Sequence, residues 1–139
     1  MYNFVQKFHS GWAYIALLLL VIAIVNSLIG MNSKKEFTLK DRKIALFGLI
    51  GAHVQLLVGL ILYFVSPLGS AVFGQMSDSA LRLTSLEHPL INLIAIVLIT
   101  IGWSKHKKAS GIAKFKSIVV FYGLGLLLIL SRIPWSLWF

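Results

Sequence analysis

Cysteine is absent from this chain. That excludes disulfides, thiolate zinc sites, thiolate-bound iron–sulfur clusters and thioether-attached haem. Acidic side chains are scarce: four Asp and Glu stand against thirteen Lys and Arg. No hydrolase motif, nucleotide fingerprint or phosphate loop is present, and no internal repeat, low-complexity tract or interdomain linker interrupts the pattern. Four histidines are therefore nearly the whole stock of reactive side chains.

What the chain does have is apolar length. Hydrophobic residues make up 58% of its 139 positions, against about 45–50% in soluble domains. Four long apolar runs place it in the membrane class. The expected fold is all-α: an integral membrane four-helix up-down bundle in one domain over 1–139. Its spans cover about 8–30, 44–65, 86–104 and 118–134, each near the ~20 residues needed to cross a bilayer. The first run is too long for a signal peptide, and no small-x-small cleavage pattern follows it.

The net charge of +9 would point a soluble protein toward nucleic acid. Here ten of the thirteen basic residues fall in two short connections. Lys34, Lys35, Lys40, Arg42 and Lys43 occupy the first; Lys105, Lys107, Lys108, Lys114 and Lys116 occupy the second. The basic residues thus set topology, and no nucleic-acid partner is implied. By the positive-inside rule both connections are cytoplasmic and both termini lie on the non-cytoplasmic side. Trp12, Trp135, Trp138 and Phe139 then fall at the outer interface and Trp103 at the inner one. The outer connection, about 66–87, reads as an ordinary surface loop in preference to a cap over the bundle.

Side chains three, four and seven residues apart share a helix face. His9 shares one with Ala13, Ala16, Leu20, Ala23 and Ser27. His88 shares one with Asn92, Ala95, Ile99 and Gly102. Small and polar stripes of this kind mark helix–helix interfaces in membranes, so both imidazoles are expected to face inward. The second span carries Gly48, Ala52, Gln55 and Gly59 on one stripe, with His53 about 100° round from its centre. On the fourth, Phe121, Gly125, Leu128 and Arg132 align. Counting ~1.5 Å per residue from the cytoplasmic ends puts His9 ~31 Å up, His88 ~24 Å and His53 ~15 Å.

An ionisable group at membrane depth costs ~2.5 kcal/mol or more when charged, so it tends to be kept for a task. Neutral imidazole is the commonest metal ligand. The spread in height argues against one small ion held by three histidines, which needs every donor within ~2–2.3 Å. A macrocycle tolerates separated ligands, because its axial groups approach from opposite sides. The expectation is haem b, one rather than two, ligated through its iron by two of His9, His53 and His88. In an up-down bundle the first and third spans are diagonal, so His9 and His88 form one candidate pair. His53 is the alternative partner of His88, a supporting residue, or the ligand of a second haem. Arg132 and Arg82 are candidate propionate partners, and Gly59 and Gly125 candidate space for the macrocycle.

Bland readings stand beside these. His9 could be an interfacial residue. His88 could satisfy a carbonyl freed by Pro89, in a helix whose Thr84-x-x-Glu87 forms a capping box with Thr84 as N-cap. His53 could bond a nearby carbonyl. His106, inside Lys105-His106-Lys107-Lys108, reads as solvated.

Several stretches also carry a resemblance. They are Phe8-His9-Ser10-Gly11, the run Lys40 to Phe47, the block from His53 to Pro67, Glu87-His88, and Ile133-Pro134-Trp135. Together the chain resembles small four-span bacterial membrane proteins of Bacteroidetes type described as cytochrome b-like. It is distantly similar to the b561-type cytochromes, from which it departs in having no histidine on the fourth span. The resemblance implies a haem-binding role, and the first functional expectation is a multi-pass b-type cytochrome of the bacterial cytoplasmic (inner) membrane. It would relay electrons between the quinone pool, with quinone itself a candidate second ligand, and a redox partner at the outer face, alone, as a homo-oligomer or in a larger membrane complex. Two other function classes fit the residues. One is a non-redox accessory subunit whose small-residue stripes dock larger partners. The other is a metal-handling or proton-conducting bundle using His53, His88 and Glu87.

Overall fold

The computed structural model describes residues 1–139 and is all-helical. Helix α1 (Tyr2–Ser33) leads to α2 (Leu39–Val65). A single 3₁₀ turn, Ser70–Val72, follows. The third long helix is continuous over Ser79–Lys108 but changes winding on the way: α3 (Ser79–Arg82), a π-helical turn over Leu83–Glu87, then α4 (His88–Lys108). Helix α5 (Ile112–Ser131) and a short α6 (Trp135–Trp138) complete the chain. Four of these helices are long and apolar enough to cross a membrane, which makes this a multi-pass membrane protein by length and composition.

Boundaries follow from local chemistry. The Thr38 hydroxyl accepts from the Asp41 amide while the Asp41 carboxylate accepts from the Thr38 amide, a reciprocal cap that starts α2. Ser66, extended at φ −82° and ψ 143°, ends α2 as a residue before proline must. Lys34 closes α1 in the left-handed region at φ 54°, its amide donating to the Gly30 and Met31 carbonyls. The last turn of α4 carries Lys105, Lys107 and Lys108 where the helix dipole favours cations.

Neighbouring helices pack in chain order around a ring: α1 on α2, α2 on α4, α4 on α5, and α5 back on α1. The first and third spans are diagonal, as are the second and fourth. The core lies in the half nearer the two basic connections. Leu20, Ala23, Ala45, Ala52, Ile96, Ile99, Ile118 and Tyr122 fill it. The expected inward stripes of the first three spans hold through Ala16, Leu20, Ala23 and Ser27, through Gly48 and Ala52, and through Ala95, Ile99 and Gly102. The fourth differs. Its buried face is Phe115, Ile118, Tyr122 and Gly125, one residue round from the stripe built on Phe121. Tyr122 sets it, because its fully buried hydroxyl donates to the Ala45 carbonyl at 2.8 Å across the diagonal.

Two further expectations are corrected. The capping box lies at Thr38 and Asp41, not at Thr84 and Glu87. The third helix starts earlier, with Asp78 capping the amides of Ala80 and Leu81, which leaves Thr84 inside the helix. His106 is not solvated but 1% exposed. Its ring lies 4.4 Å from Trp103 and 5.5 Å from Phe37, and its Nδ1 meets the Trp103 carbonyl. The lysines beside it point away while the imidazole turns in under the 34–38 connection.

Candidate functional site: a diagonal histidine pair over an apolar cavity

The opposite half of the bundle is not filled. A cavity of about 650 Å³ lies there, within the ~300–1,000 Å³ usual for ligand pockets. Its lining is mainly apolar, from Leu17, Leu56, Leu93, Ile96 and Ile129 among others, with His9, Gln55, His88 and Asn92 as polar groups. Leu68, Gly69 and Phe73 of the connection between the second and third spans contribute to the wall, so that loop borders the cavity rather than standing clear as a surface loop. The C-terminal turn does the same through Pro134, Leu137 and Trp138. Trp138 is anchored against Tyr14 of α1, with ring centroids 4.8 Å apart. Nothing in the sequence pattern marked that end of the chain as a wall.

His9 and His88 meet across this cavity. Their ring centroids are 6.3 Å apart and their planes are perpendicular, at 89°. One neighbouring helix makes room. Gly59 on α2 faces the His9 ring, where a Cβ would come within 3.0 Å of Cε1.

His88 is set by three devices. First, the π turn over Leu83–Glu87 ends on it; such turns recur at functional sites. Second, Pro89 cannot donate to the Ser85 carbonyl four residues back, and the Tyr63 hydroxyl from α2 donates to that oxygen instead, at 2.9 Å. The freed carbonyl is thus satisfied without His88, whose ring meets a different backbone carbonyl. Third, His88 Nδ1 lies 2.9 Å from the Arg132 carbonyl. Asn92 Nδ2 also lies 3.1 Å from this nitrogen; in the tautomer that donates from Nδ1 to the carbonyl, Nε2 is left with the lone pair. Asn92 Nδ2 donates to the His88 carbonyl at 2.6 Å and fixes the turn below. A ligating histidine characteristically has its other ring N–H held by a carbonyl or carboxylate in this way.

The remaining candidates fall elsewhere. His53 does not line the cavity. Its Nδ1 is 2.8 Å from the Leu49 carbonyl one turn back, and its Nε2 is 3.4 Å from the Thr100 hydroxyl. Arg82 Nε donates to Glu87 at 3.0 Å, and Arg132 Nε lies 3.9 Å from the same carboxylate. This triad sits at the end of the third and fourth spans away from the basic connections, half-exposed, with Ile133 and Pro134 of the cavity wall next to it. Gly125 does not open space for a ligand. A Cβ there would stand 2.7 Å from Ile99 Cγ1 and 3.0 Å from the Ala95 carbonyl, so the glycine serves the α4–α5 crossing. No group of three His, Cys, Asp or Glu side chains converges on a point that could hold a bare metal ion.

The pair was legible as two inward faces on diagonal helices. Tyr63, Gln55 and the π turn were not read as part of the site. The only signal for Tyr63 was its place on the second span, roughly level with a proline on the third. Comparison with family models, with curated proteins and with solved structures finds no match to this chain.

Proposed function

We propose that this protein is a membrane b-type cytochrome in which His9 and His88 would hold one haem through its iron. The observation that carries the reading is the spacing of the two rings. Metal–imidazole bonds of about 2.0–2.1 Å, plus the half-width of each ring, place two imidazoles on opposite sides of one metal with centroids roughly 6–6.5 Å apart. The observed 6.3 Å falls there. Neither Nε2 makes a hydrogen bond, whereas His88 Nδ1 does. The apolar lining suits a flat hydrophobic group.

Haem iron would supply one-electron exchange. The protein's share is to hold both imidazoles neutral with Nε2 free and to keep the other half of the bundle closed with the Leu20–Ile99–Tyr122 core; Arg82 and Arg132, engaged with Glu87 and outside the cavity lining, would have to leave that carboxylate to meet propionates. His53, tied to Leu49 and Thr100, is left outside the ligand pair. The positive-inside rule applied to the two basic connections supports a cavity in the non-cytoplasmic half of the membrane, with both termini on that side. That position suits relay between quinone in the bilayer and a partner at the outer face of a bacterial cytoplasmic membrane.

Purification from membranes tests this. The expected result is a red protein with about one haem per chain and a Soret band that shifts on adding dithionite. An intact, colourless protein that neither retains nor takes up haem, and that co-purifies with other membrane subunits, would overturn the reading in favour of an accessory subunit.

A further inference from the structure

His88 has a carbonyl to hold its Nδ1 proton. His9 has no such partner: its Nδ1 is fully buried and makes no hydrogen bond. One other buried side-chain atom in the molecule shares that condition, Gln55 Oε1. The two are neighbours, since the Nε2 of the same Gln55 carboxamide donates to the His9 backbone carbonyl at 2.8 Å. Leaving a buried donor and a buried acceptor both unmade costs about 1–3 kcal/mol each. The chemistry of the two atoms is complementary in one tautomer only. An amide oxygen can only accept, so His9 must carry its proton on Nδ1, and its Nε2 is then the lone pair.

We propose that Gln55 is the positioning residue of His9: its Oε1 accepts the Nδ1 proton of His9 while its Nε2 stays on the His9 carbonyl, so that one carboxamide fixes both the turn and the tautomer. Gln55 thereby does for His9 what the Arg132 carbonyl does for His88. The inference rests on the histidine-pair reading for its purpose, but not for its geometry. Gly59, one turn further along α2, leaves the His9 ring room to rotate into this bond.

The tautomer of His9 in haem-free protein is the direct test, and it needs no haem chemistry. Nitrogen-15 NMR of histidine-labelled protein in bilayers, with His9 assigned by loss of its signals in His9→Ala, reads it. Wild type is expected to be Nδ1-protonated at His9. Gln55→Leu is expected to lose that preference and Gln55→Glu to keep it. In haem-loaded protein the same variants separate positioning from packing. Gln55→Leu should weaken haem retention about 10–100-fold. Gln55→Glu should retain haem with a lower midpoint potential, because an anionic acceptor makes the imidazole a stronger donor. Should Gln55→Leu fail to fold, wild type and Gln55→Glu alone decide the matter. An Nε2-protonated His9 in wild type overturns the proposal, as does an unchanged tautomer in a folded Gln55→Leu. An Nδ1-protonated His9 that depends on Gln55, in a protein that takes up no haem, upholds the positioning role and overturns the cytochrome reading instead.

Discussion

Alanine at Gly125 and alanine at Gly59 add the same methyl group to two different neighbourhoods. Each gains about 0.8–1.0 kcal/mol of helix propensity over glycine. At Gly125 the new carbon would stand 2.7 Å from Ile99 Cγ1 and 3.0 Å from the Ala95 carbonyl oxygen. Ile99 is fully buried and the second neighbour is backbone, so relief requires α4 and α5 to separate. Overpacking of this kind costs about 1–3 kcal/mol. With no flexible neighbour to yield, the upper end applies, and the net loss after the propensity gain is about 2 kcal/mol. At Gly59 the near atom is His9 Cε1 at 3.0 Å, the edge of a ring that can rotate. The cost falls at the low end and cancels the propensity gain to within about 1 kcal/mol, but the imidazole moves by a few tenths of an ångström. Thermal unfolding in detergent, followed by helical circular dichroism, measures the first effect. Haem retention on dilution measures the second. Gly125→Ala is expected to melt several degrees below wild type, and Gly59→Ala to melt with it while releasing haem faster. Equal melting of Gly125→Ala and wild type would refute the packing argument, and haem retention untouched in Gly59→Ala would refute the account of why that glycine is there.

Three further outcomes follow from individual contacts. Tyr63→Phe strands the Ser85 carbonyl and should cost about 1–3 kcal/mol; in a Pro89→Ala background, where a backbone N–H can return to that oxygen, most of the loss should disappear, as a double-mutant cycle on unfolding will report. His106→Ala removes a buried ring from between Trp103 and Phe37 and should lower stability by about 2 kcal/mol, with the absorption spectrum of bound haem unchanged. Lys34→Gly relieves a left-handed residue at the end of α1 and should raise stability by about 0.5–1 kcal/mol in the same melting experiment.

The spans were legible because hydrophobic length is a property of the local sequence. The inward faces of the first three followed from small residues at helical spacing, such as Ala16, Ala23, Ala52, Ala95 and Gly102. The helices outrun the expected spans: α1 already includes Tyr2 and the third reaches back to Ser79, because backbone bonding continues where the apolar run has stopped. The fourth face was misread by one residue, since Phe121 and Tyr122 are both large aromatics and the buried partner of the Tyr122 hydroxyl, the Ala45 carbonyl, lies 77 positions away. Gly59 and Gly125 read alike for the same reason: a glycine makes room, but the chain alone does not say whether for an imidazole or for a neighbouring helix. His106 was hidden by its lysines. Its burial depends on Phe37, which a loop brings over from the far side of two helices. The nearness of His9 to His88 was open to inference from connectivity alone, whereas the Arg132 carbonyl at the His88 ring and the Gln55 carboxamide at the His9 backbone required the fold.

Haem content and spectrum of four single variants, His9→Ala, His53→Ala, His88→Ala and His106→Ala, test the central claim most directly. Wild type should carry about one low-spin haem per chain. His88→Ala and His9→Ala should lose it or turn high-spin, while His53→Ala and His106→Ala should keep the wild-type spectrum. Full retention of a low-spin spectrum in His88→Ala, or its loss in His53→Ala with His9→Ala unaffected, would contradict the account.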